Sequence, residues 1–186
     1  KVNPPWTYAE IFLADDLPEE GEATYSMELD LDEDGRGDIL VTALLPTSDE
    51  WTVGGVRVYQ DVDGDVGGEN PLIPDPVVET LTGYEELIFD AGVGDDSDLA
   101  WVRRHPEEPA ALEIAYKTDL TQNAGYLWSV VADEGLQEPG MADYNDWFSF
   151  PEAGSPYPEH DYHPIQEIYL LDSTCRSSYR YEPDGD

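Results

Sequence analysis

Basic side chains are scarce in this sequence. Eight Lys and Arg stand against 43 Asp and Glu in 186 residues, a formal net charge of −35, and the only lysines are Lys1 and Lys117. Such a surface repels a phosphate backbone, which excludes nucleic acid as a partner and disfavours an anionic membrane. No apolar run approaches the roughly 18 residues that a spanning helix needs, so no membrane span is expected. One cysteine, Cys175, cannot close a disulfide within the chain; it is either an inert thiol or pairs with a sulfur outside these residues. The signatures of nucleophilic, zinc-hydrolytic and nucleotide-dependent enzymes (G-x-S-x-G, H-E-x-x-H, the P-loop and G-x-G-x-x-G) are all missing. The chain is therefore expected not to be an enzyme.

What is present is enough for a core. Hydrophobic residues make up 40% of the chain and aromatics 11%, too many for wholesale disorder. Residues 23–29, 39–45, 53–59, 99–103, 112–116, 126–132 and 165–171 are rich in Val, Ile, Leu and Tyr. In Val53-Gly-Gly-Val56-Arg57-Val58-Tyr59 the apolar side chains return on one face, the period of a half-buried strand. Fifteen prolines and 16 glycines interrupt the chain too often for long helices. Short helical turns are expected only at 80–87 and 139–146. The pattern predicts an all-β fold: one antiparallel β-sandwich domain over residues 1–186, jelly-roll-like, with long acidic loops. Residues 1–20 are expected to form an extended N-terminal segment, broken by Pro4-Pro5 and carrying an apolar patch at 6–13. That patch either opens the chain's own sandwich or adds to the sheet edge of a neighbouring copy.

The acids are spread along the whole chain, so the compact state repels itself and needs counterions. Divalent-cation sites, a high-salt habitat and a merely solubilising surface would each account for this. The sharpest motif favours the first. Asp30-Leu-Asp32-Glu-Asp34-Gly35-Arg36-Gly37-Asp38 has the spacing D-x-D-x-D-G-x-x-D. A hard dication takes about six to eight oxygens at about 2.3–2.6 Å, and alternate carboxylates converge when a loop curls around it. Gly35 permits the turn. The bidentate Glu that closes an EF-hand is replaced by Val41, and strand-like runs flank the loop on both sides, so a helix–loop–helix site is not expected. Asp30 to Pro46 resembles the calcium-binding hairpin loops of FG-GAP repeats, as in integrin α-subunits. By position, that resemblance implies Asp30, Asp32, Asp34 and Asp38 as side-chain ligands of Ca2+ and Arg36 as a carbonyl ligand. Only one full loop is present, which argues against a propeller. Arg36-Gly37-Asp38 also spells an adhesion tripeptide, but Asp38 cannot serve an ion and a receptor at once.

Weaker clusters follow. Asp61, Asp63, Asp65 and Glu69 repeat the acidic spacing as a possible second site, with Val66 where glycine would be expected. Asp95, Asp96 and Asp98 form a third acidic turn, read either as a solvated turn or as a separate site. His160 and His163 lie in a proline-rich loop and could offer two imidazoles to a transition metal. Trp51, Trp101, Trp128, Trp147 and the tyrosines 157, 162, 169, 179 and 181 could stack on sugars or simply pack between sheets.

The words Ala100-Trp101-Val102-Arg103, Asp143-Tyr144-Asn145-Asp146, Glu152-Ala153-Gly154-Ser155-Pro156 and Asp172-Ser173-Thr174-Cys175-Arg176 look like an uncharacterised group of secreted bacterial proteins. That resemblance implies an extracellular setting and no particular activity. The resulting expectation is an extracellular, calcium-stabilised structural or adhesive protein that self-associates, such as a filament, pilus or surface-layer subunit. The alternative is a calcium-bearing carbohydrate-binding module, or part of a glycan-active enzyme.

Overall fold

The computed structural model describes residues 5–33, 37–64, 66, 83–122 and 125–133, with the backbone of 147–149 and 167–169. The fold is all-β, with two antiparallel sheets of three and five strands. Strands β1 (Trp6–Phe12), β6 (Ala100–Arg104) and β7 (Ala111–Lys117) form the smaller sheet in the order β1-β7-β6. Strands β2 (Thr24–Asp30), β3 (Ile39–Leu44), β4 (Val56–Gln60), β5 (Glu86–Asp90) and β8 (Leu127–Asp133) form the larger one in the order β5-β4-β3-β2-β8. A separate two-stranded pairing joins β9 (Trp147–Ser149) to β10 (Glu167–Tyr169).

The predicted β-sandwich is what forms. Its order is a meander: β2 to β5 are sequence neighbours in one sheet before the chain crosses to the other. A jelly roll would alternate between sheets instead. Alternation sorts the side chains. Tyr25, Met27 and Leu29 of β2, Val41 of β3, Val58 of β4 and Phe89 of β5 face Ile11, Leu112, Ile114, Val102 and Tyr116 of the smaller sheet, all in one buried cluster. Each fully buried aliphatic of this kind is worth about 1.5–3 kcal/mol.

Residues 6–12 settle one open alternative. Trp6 pairs with Lys117 and Phe12 with Ala111, so this segment is the first strand of the chain's own sheet. The free side of β6 is covered by residues 48–52: Thr52 exchanges both backbone hydrogen bonds with Val102 (3.0 and 2.9 Å), and the Arg104 amide donates to the Ser48 carbonyl. Covering an edge in this way blocks unwanted strand pairing.

Two helical expectations fail or fall out of view. Of the turn expected at 80–87, residues 80–82 lie outside the described residues, while 86 and 87 open strand β5, paired to β4 across a bulge at Val58/Tyr59, because pairing with a buried strand overrides a weak local preference. The helical turn among the described residues is a 3-10 turn at Thr118–Thr121. The turn expected at 139–146 lies outside the described residues.

Candidate metal centre

The first acidic loop is the β2–β3 hairpin. Alternation along β2 turns Glu28 and Asp30 away from the core, yet both are buried, at 6% and 4% exposure. Asp38 closes the hairpin neck. Its amide donates to the Leu29 carbonyl at 2.9 Å, and its carboxylate accepts the Leu31 N–H at 2.5 Å. One carboxylate oxygen from each of Asp30, Asp32 and Asp38 lies within 4.8 Å of the others. Two oxygens on opposite sides of a calcium ion are separated by up to about 5 Å, so this spacing suits a hard dication. Three of the predicted ligands therefore converge. Asp34 and Arg36 lie outside the described residues.

The second loop adjoins the first, since the Asp61 amide donates to the Asp38 carbonyl at 2.9 Å. Asp61 is buried and organises its own turn: one carboxylate oxygen accepts the Asp63 and Gly64 amides at 3.1 and 2.7 Å, and the other accepts Val66 at 3.1 Å. The residue that joins Asp61 and Asp63 is Glu85, with oxygens of all three within 4.8 Å. Glu85 also accepts the Val62 amide at 2.9 Å. Sequence reading missed it because β4–β5 pairing, not loop spacing, brings it there. Asp65 and Glu69 lie outside the described residues.

A cleft of about 470 Å³ opens beside the first loop. Asp32, Asp38 and Asp119 give it an acidic wall, Gln60 and Gln122 supply amides, and Leu31 and Ile39 contribute apolar side chains.

The third acidic turn grips a lysine. Both Asp96 oxygens accept from Lys117 Nζ, at 2.5 and 2.7 Å, and Asp98 accepts from it as well. Burial pulls the Lys117 ammonium down, but the hydrogen bonds it donates to Asp96 and Asp98 outweigh that and leave its pKa raised. The same hydrogen bond holds Asp96 below the ordinary aspartate value. An ammonium thus occupies the place where an ion was conceivable.

One further group was not foreseen. Glu10, Glu113 and His105 come within 4.8 Å of one another on the outer face of the smaller sheet. His105 Nδ1 accepts the Glu107 and Glu108 amides at 3.1 and 2.9 Å. The neutral ring then carries its proton on Nε2, which makes that nitrogen a donor to carboxylates and a poor metal ligand. His160, His163 and Cys175 lie outside the described residues.

No helix among the described residues is long and apolar enough to cross a membrane. No family model matches the chain, and neither a curated protein nor a solved structure is significantly similar to it.

Proposed function

We propose that the chain is a calcium-stabilised β-sandwich working outside the cell in a structural or adhesive role, as a subunit of a filament, pilus or surface layer rather than as an enzyme. The observation that carries this reading is the convergence of Asp30, Asp32 and Asp38 at the neck of a strand–loop–strand hairpin. Asp34 and the Arg36 carbonyl complete the ligand set by position. The ion supplies two positive charges where the chain collects acids, and its binding free energy adds to folding. Extracellular calcium modules bind at about 0.1–1 mM, the range in which a loop of this kind is useful outside a cell.

Assembly follows from the same electrostatics. Copies with a net charge of −35 repel one another, and bound calcium or screening salt lowers that barrier. Two measurements test the reading. Calorimetry with about 1 mM calcium against excess chelator should show a higher Tm with the ion; an unchanged Tm rejects the metal centre. Electron microscopy and sedimentation of the same samples should show polymers that need calcium or salt; monomers under every condition reject the structural role and leave the ion site standing.

A further inference from the structure

The outer surface of the smaller sheet carries an aromatic layer that the acidic loops do not explain. Alternation places Trp6 and Tyr8 of β1 and Trp101 of β6 on this face, on either side of β7. In the strand register Ala115 stands between Tyr8 and Trp101. Its small side chain lets the rings lean inward over it, so Ala115 is only 3% exposed although it points away from the core. Trp6 meets Trp101 edge to face at 6.4 Å. Tyr8 meets Trp51, from the stretch that covers β6, at 5.8 Å with 59° between the rings. Arg103 lies 4.5 Å over the Trp51 ring and is ion-paired to the buried Glu113. Its guanidinium is therefore held from two sides, while Tyr8 keeps 62% of its surface exposed.

We propose that this face binds a neutral glycan, stacking a pyranose ring on the exposed side of Tyr8 with the touching Trp51 ring beside it as one platform. A pyranose offers an apolar C–H face and a rim of hydroxyls. The aromatic rings match the first, and the fixed Arg103–Glu113 pair with the neighbouring Glu10 and His105 matches the second. The charge argument selects against other occupants. The cations here are already neutralised, Arg103 by Glu113 and Lys117 by Asp96 and Asp98. An anionic polymer meets the repulsion of the whole surface, and a second copy meets it wherever calcium or salt does not screen it, whereas a neutral polyol does not feel it. The rings are angled rather than coplanar, which fits a soluble, twisting chain and not a flat crystalline lattice. Rigid aromatics also lose little rotamer freedom on binding. The site lies on the opposite sheet from the two candidate calcium loops, so the inference does not depend on the calcium reading.

The test uses the intact chain. Affinity electrophoresis and tryptophan fluorescence titration are run against hydroxyethyl cellulose, xylan, galactomannan, laminarin and soluble starch. At least one should retard the protein and shift its emission. Tyr8→Ala and Trp51→Ala should each weaken binding about tenfold, the scale of one lost ring contact. Tyr8→Phe, which keeps the ring, should bind within about twofold of the native chain, as should Trp128→Ala on the other sheet. Circular dichroism identifies variants that fold. Failure of all five polysaccharides to bind overturns the proposal, as does undiminished binding by folded Tyr8→Ala and Trp51→Ala. If the ring variants instead turn a self-associating protein into monomers, the face is a protein interface and the glycan proposal falls.

Discussion

The Tyr84 hydroxyl donates to the Glu28 carboxylate at 2.5 Å, joining the approach to β5 to the outward face of β2. Both partners are buried, and Tyr84 packs with Val66 against Leu40 and Tyr59 in a second small apolar cluster. A buried carboxylate is costly unless hydrogen-bonded, so this contact makes a polar outer row tolerable. It also explains Gly37. A Cβ there would overlap the Tyr84 hydroxyl and stand 2.5 Å from the Glu28 side chain. The glycine of the Arg36-Gly37-Asp38 word thus meets a packing need.

Gly37→Ala should therefore destabilise the fold by about 1–3 kcal/mol, the range for overpacking. Tyr84→Phe should cost about 1–3 kcal/mol by leaving Glu28 without that donor. The double variant should cost less than the sum, since removing the hydroxyl makes room for the methyl. Urea midpoints of the four proteins decide it. Strict additivity would show that Gly37 and Tyr84 act separately.

Most strands were legible in the sequence because alternation marks a half-buried sheet locally. The runs at 23–29, 39–45 and 112–116 match β2, β3 and β7 to within one residue at each end. Strand β5 was not legible. Leu87 ends a stretch that spaces like a helical turn, with Ile88 and Phe89 directly after it, and only pairing with β4 makes them a strand. Glu85 was lost for the same reason. In the candidate centre, Asp30, Asp32 and Asp38 could be read from spacing alone, since a hairpin neck is a local structure. The Lys117 clamp could not, because its cation lies 21 residues from Asp96 in sequence.

That clamp gives a pH dependence. Asp96 has a lowered pKa in the folded state, so its contribution is present above the unfolded value, near 4, and is lost as pH falls through the folded one. Lys117 has a raised pKa, so its contribution is complete below the unfolded value, near 10, and is lost as pH rises through the folded one. Asp96 and Asp98 are 42% and 51% exposed, so solvent screening keeps the effect to about 1 kcal/mol or less. Lys117→Met should lower stability between these limits and flatten both limbs of the curve. Stability measured in urea from acid to alkali checks this; unchanged limbs would show that the pair does not act as a unit.

Deleting residues 1–13 should abolish cooperative unfolding. The deletion removes β1 entirely, takes buried Ile11 from the core and leaves β7 as an edge strand. Near-ultraviolet circular dichroism should lose its fine structure. A truncated chain that melts like the native one would place β1 outside the essential core.

The acidic hairpin allows a sharper separation between ion binding and hairpin closure. Asp32 is exposed, and Asp38 closes the neck by accepting the Leu31 amide. Excess calcium should stabilise the native chain by roughly 3–4 kcal/mol at 100–1,000 times Kd. Asp32→Asn should lose most of that increment while its stability in chelator stays equal or rises, because one of several crowded like charges is gone. Asp38→Asn should lose the increment and also about 1–3 kcal/mol in chelator, because a charge-assisted hydrogen bond at the neck is weakened. Melting each variant with calcium and with chelator gives four numbers that the two roles order differently. If Asp32→Asn gains as much from calcium as the native chain does, Asp32 is not a ligand and the site has another composition.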